Sequence, residues 1–121
     1  MIKCGIDLLR TSRLGDVNPA IRKRFIRRVY TEAEIAQAQD DNDTLSGIFA
    51  AKEAVSKTLG TGIGKVAWQD IEILHAPSGE PGVTLHGVAL EVAQAKGLAE
   101  WAVSITHEGG MAAAVAVAQS A

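Results

Sequence analysis

The residues best suited to chemistry lie in one run, Phe49-Ala50-Ala51-Lys52-Glu53-Ala54-Val55-Ser56-Lys57-Thr58-Leu59-Gly60-Thr61-Gly62. Glu53 and Lys57 are four apart, so on a helix they share a face. Gly60-Thr61-Gly62 is expected to stop that helix and free backbone amides beside the lysine. A carboxylate for a divalent metal, an ammonium for phosphate and flexible backbone donors together point to a phosphorylated ligand. Asp7 offers a second carboxylate. It follows Gly5 on the same face of an N-terminal strand, and the missing side chain at Gly5 leaves room for an ion. His107 closes an apolar run before Glu108-Gly109-Gly110. Each has a plainer reading: Glu53 and Lys57 as a surface ion pair worth ~0.3–0.5 kcal/mol, Asp7 as a solvated strand end, His107 as a structural or exposed histidine.

Periodicity supplies the elements that must carry these residues. Ile2, Cys4, Ile6 and Leu8 alternate with Lys3, Gly5 and Asp7, the pattern of a half-buried strand, with Cys4 as a small buried side chain. Asn18-Pro19 opens a helix reaching about Arg28, and Ile21, Phe25 and Val29 form its buried stripe. Thr31-Glu32-Ala33-Glu34 is a capping box for a second short helix. Residues 40–44 read as a polar loop. The long central helix runs from about 45 to 59, with Leu45, Ile48, Val55 and Leu59 on its apolar side. Residues 66–74 and 83–86 form a hairpin around the turn at 77–82. A helix over 88–96 stops at Gly97. Strands over 101–106 and 111–117 flank the Glu-Gly-Gly turn, and Trp68 and Trp101 open their strands. The order β-α-α-α-β-β-α-β-β predicts an α+β fold, a mainly antiparallel sheet packed against a long central helix, in one domain over 1–121.

Net charge is −2, so no global field marks a nucleic-acid binder. Charge is instead local. Arg22, Lys23, Arg24, Arg27 and Arg28 fall within seven residues, and Asp40, Asp41 and Asp43 form an opposite cluster. A basic patch on a nearly neutral chain points to an acidic partner. The single cysteine, the lack of an apolar leader and the lack of an apolar run of ~20 residues predict a soluble protein of a reducing, cytoplasmic compartment.

The order of these motifs resembles the holo-acyl-carrier-protein synthase family, the small 4'-phosphopantetheinyl transferases. The resemblance rests on Gly5-Ile6-Asp7, Phe49-Ala50-Ala51-Lys52-Glu53-Ala54 with Lys57, Gly60-Thr61-Gly62, Trp68-Gln69-Asp70-Ile71-Glu72-Ile73, Gly79-Glu80-Pro81 and Val103-Ser104-Ile105-Thr106-His107, and runs from residue 2 to about 118. It implies that the 4'-phosphopantetheine arm of coenzyme A is moved to a serine of an apo acyl carrier protein, with magnesium bound and adenosine 3',5'-bisphosphate released, in support of fatty acid biosynthesis. Asp7 and Glu53 match the family's metal ligands. Lys57 matches the lysine on the phosphates. Gly60, Thr61 and Gly62 are expected along the nucleotide, and His107 near the coenzyme A phosphates. Glu53 is the candidate to take the serine proton, directly or through a metal-bound water; a water activated by Asp7 is the alternative. Arg13, Arg22, Arg24 and Arg28 are the expected grip on the carrier. The family commonly forms homotrimers with sites at subunit interfaces.

Two departures stand out. Ile48 replaces an arginine common in the family, and the loop before the central helix holds acids where bases are frequent. Both predict weaker dependence on the 3'-phosphate of coenzyme A. The alternatives are the same chemistry on a specialised, polyketide-type carrier, and a non-catalytic carrier-binding module.

Overall fold

A computed structural model describes residues 1–121. Strand β1 (Ile2–Arg10) leads through a short helix α1 (Ser12–Gly15) into α2 (Pro19–Val29), α3 (Glu32–Ala38) and the long α4 (Asn42–Leu59). A 3₁₀ turn (Trp68–Asp70) precedes the hairpin β2 (Ile71–His75) and β3 (Pro81–Leu85). Helix α5 (Gly87–Ala95), β4 (Glu100–Glu108) and β5 (Met111–Gln119) complete the chain. One antiparallel sheet has the order β1-β5-β4, with Asp7 opposite Ala114 and Ile105 opposite Ala114 on the other side; β2 and β3 form a separate antiparallel pair.

Helix α4 lies across the three-stranded sheet. Its buried residues Leu45, Ile48, Val55 and Leu59 meet the inward alanines 112, 114, 116 and 118 of β5. Alanines on one strand let a helix approach closely. Gly5 does the same on β1: a Cβ there would run into the Ala54 carbonyl oxygen and sit 2.8 Å from Thr58 Oγ1. Asn18 caps α2, and Thr31 and Glu34 complete the capping box of α3.

Several boundaries differ from the sequence reading. The glycine contact turns the Gly5–Asp7–Leu9 face of β1 toward α4, so Ile6 and Leu8 are 67% and 61% exposed and Cys4 is exposed as well. The alternating pattern was right in period and inverted in face. Residues 42–44 are helical because Asp41 caps α4 through the Thr44 amide. Helix α1 carries too few residues to show a period. Trp68 lies in the 3₁₀ turn rather than in a strand, and Ile21 is half-exposed.

Candidate active site

The active-site candidate forms where the C-terminal half of α4 crosses edge strand β1. Lys57 reaches over the strand instead of pairing with Glu53. Its Nζ donates to the Ile6 carbonyl at 2.9 Å and meets Asp7 Oδ1 at 3.3 Å. Asp7 and Glu53 are close enough for Asp7 to act on the Glu53 carboxyl. Burial first, then the Asp7 charge, raises the pKa of Glu53, opposed by Lys57 and Arg13. Two carboxylates that repel each other, with a cation drawn to one, form a natural seat for a divalent ion. No cluster of three or more His, Cys, Asp or Glu is present. A two-carboxylate donor set suits magnesium, which keeps waters and takes its remaining oxygens from phosphate.

The glycine loop does not free its amides. Gly60 N donates to Lys57 and Ser56 carbonyls, and Thr61 N and Gly62 N both donate to the Ser56 carbonyl. Gly60, at φ +82°, closes the helix with a left-handed cap. The last carbonyls of a helix need such donors, which is why the loop turns back. What it does offer is shape, because a Cβ on Gly62 would meet open space. Lys96, from the end of α5, also donates to Leu59 O and lies beside Gly60. That brings an ammonium to the loop from a position with no motif around it, so sequence reading passed it over.

His107 is placed elsewhere. Its Nε2 donates to the Asp43 carbonyl at 2.7 Å and packs on Gly47, over the first turns of α4. Ten residues of helix separate Asp43 from Glu53, about 15 Å, so one chain does not bring His107 to the carboxylates. Ile48 is wholly buried in the hydrophobic core. Two acids of the 40–43 stretch are engaged within the chain: Asp40 binds Arg22, and Asp41 caps α4.

Beside the carboxylates opens an apolar cleft of about 340 Å³, lined by Leu9, Arg13, Val17, Ile21, Phe25 and Phe49. Arg24 and Arg28 fall at helical spacing with Ile21 and Phe25, on the cleft side of α2. Arg22 does not. Its guanidinium donates to Asp40 at 2.7 Å and Asn42 at 2.6 Å and is only 19% exposed. It ties α2 to the start of α4, so this guanidinium is engaged within the chain.

This fold, with two acids and a lysine where a helix crosses an edge strand, defines a class. Residues 3–116 match the family described as the 4'-phosphopantetheinyl transferase superfamily, and the chain belongs to it. Within that superfamily the chain is similar to proteins named holo-acyl-carrier-protein synthase. One from Solidesulfovibrio magneticus is 44% identical over 93% of this chain and 94% of its own. Another, from Moorella thermoacetica, is 42% identical over 99% and 95%. Among solved structures, the Helicobacter pylori holo-acyl-carrier-protein synthase in complex with coenzyme A superposes with a TM-score of 0.86 at 32% identity, covering 98% of this chain and 100% of that one.

Proposed function

We propose that this chain transfers 4'-phosphopantetheine from coenzyme A to a serine of an apo acyl carrier protein. The observation that carries the reading is the Asp7–Glu53–Lys57 arrangement at the β1–α4 crossing, in a chain whose close relatives bear that enzyme's name. The serine oxygen forms a bond to a phosphorus of the coenzyme A diphosphate. The bond to the bridging oxygen breaks, and adenosine 3',5'-bisphosphate leaves. Glu53 is the candidate acceptor of the serine proton, directly or through a metal-bound water. Lys57 stabilises charge on the departing phosphate. Asp7 and Glu53 would hold magnesium, which when bound neutralises charge on the diphosphate.

The glycine loop supports a nucleotide by leaving space at Gly62 rather than by donating amides. Arg13 lines the apolar cleft, Arg24 and Arg28 share a helix face with its Ile21 and Phe25, and the three suit an acidic carrier, mainly by speeding and orienting encounter. The outward face of the three-stranded sheet exposes Ile2, Ile6, Leu8, Val115 and Val117. A contiguous apolar sheet face of this kind marks an interface, and we assign it to a homotrimer. His107 would then serve the coenzyme A phosphates of a site shared between subunits. No helix is long and apolar enough to cross a membrane; a cytoplasmic enzyme of fatty acid biosynthesis fits the single exposed thiol. Mass spectrometry of an apo carrier incubated with protein, coenzyme A and magnesium tests the reading. A phosphopantetheine-sized mass gain that Glu53→Ala abolishes is expected. No gain on any of several carriers would favour a non-catalytic binding module.

A further inference from the structure

Lys52 stands next to Glu53 in sequence, yet its side chain is wholly buried, as is that of its partner Glu34. The ion pair is 2.8 Å long. Two charges taken out of water are tolerated only when their remaining donors and acceptors are bound. These are. Glu34 accepts from the amides of Thr31 at 2.8 Å and Ile73 at 2.7 Å. Lys52 Nζ donates to the carbonyls of Trp68, at 3.0 Å, and Ile71. A well-packed apolar pair can hold a fold equally well, so the function of this network is sought in what it orients.

Four of the chain's five aromatic residues form a circuit that begins and ends at Lys52. Its Nζ lies 6.0 Å from the Tyr30 ring centroid. Tyr30 meets Phe25 edge-on at 6.3 Å, Phe25 meets Phe49 at 5.5 Å, and Phe49 stacks on Trp68 at 4.8 Å. The Trp68 carbonyl then returns to Lys52. Phe25 and Phe49 are walls of the apolar cleft. Phe49 lies three residues before Lys52 and four before Glu53, so on the helix surface it neighbours both.

We propose that Lys52 is a positioning residue for carrier docking: by clamping the Trp68 carbonyl it seats the indole against Phe49 and fixes the aromatic wall on which an apolar patch of the carrier rests. The proposal depends on the cleft being the carrier's docking surface.

Steady-state kinetics with an apo acyl carrier protein, coenzyme A and magnesium test it, using Lys52→Met, Trp68→Ala and Arg24→Glu. Lys52→Met and Trp68→Ala should each raise KM for the carrier about five- to tenfold, while kcat and KM for coenzyme A move by less than about twofold. Trp68→Ala leaves the charges in place and decides the matter if Lys52→Met does not fold. An unchanged carrier KM in Trp68→Ala, or equal losses in every parameter, overturns the proposal. If Arg24→Glu raises carrier KM and the other two do not, positioning fails and the docking surface stands. If Arg24→Glu leaves it unchanged, the docking surface itself is wrong, and the proposal falls with it.

Discussion

Replacing Lys57 with methionine should tighten divalent-cation binding to the coenzyme A-free protein, even though it should cripple turnover. The reason is positional. Lys57 Nζ sits on the Ile6 carbonyl and on Asp7, so the ammonium neutralises a carboxylate that the metal also needs. A metal entering between Asp7 and Glu53 must displace that contact. The pair is 3.3 Å long, with Asp7 18% and Lys57 51% exposed. Half-solvated pairs of this kind contribute ~0.2–1 kcal/mol, which corresponds to about a 1.4- to 5-fold gain in metal affinity once the lysine is gone. Isothermal titration of magnesium into wild type, Lys57→Met and Asp7→Asn at low ionic strength reads this directly. Asp7→Asn should weaken binding, which establishes that the titration reports this site. With that established, equal or weaker affinity in Lys57→Met would refute the competition and make the lysine a builder of the site instead. Coenzyme A binding to the same variant should weaken if, as proposed, the lysine serves the phosphates.

Other predictions follow from the same geometry. The folded-state pKa of Glu53 lies above the ordinary 4.5, so the folded protein holds its proton longer than the unfolded chain does. Its contribution to stability is present below about that value and is lost as pH rises through the raised pKa. Glu53→Gln should therefore flatten the fall in metal-free Tm above pH 4.5 while abolishing turnover. Gly5→Ala drives a Cβ into the Ala54 carbonyl; overpacking of this kind costs ~1–3 kcal/mol, and both Tm and activity should drop. Arg22→Ala should lower Tm through lost contacts to Asp40 and Asn42, leaving the salt dependence of carrier association unchanged, whereas Arg28→Glu should lower the association rate. Because Ile48 brings no cation to the nucleotide, dephospho-coenzyme A should lose no more than about tenfold in kcat/KM, or ~1.4 kcal/mol, below the ~1.5–3 kcal/mol of a charge-assisted hydrogen bond.

Much of this protein was settled by short-range sequence. The caps at Asn18 and Thr31, the α4 span that sets Glu53 and Lys57 on one face, the Gly60 stop and the turns at 77–82 and 108–110 all depend on residues a few positions apart. Local geometry dictates those wherever the chain folds. The motif order sufficed for the family as well. Tertiary structure decided what depends on which surfaces meet. The period of β1 was legible, but which side faces inward was fixed by a helix 50 residues away that needs the bare backbone at Gly5. Lys57 chose Asp7 over Glu53 because edge strand β1 presents a carbonyl and a carboxylate together. The amides of Gly60 to Gly62 turned back onto α4 because the last carbonyls of a helix need donors. Arg22 turned to Asp40 and Asn42, partners 18 and 20 residues away in sequence. The Glu34–Lys52 pair joins two different helices, so no local spacing announces it; it exists because the surrounding elements close over it and satisfy each of its bonds.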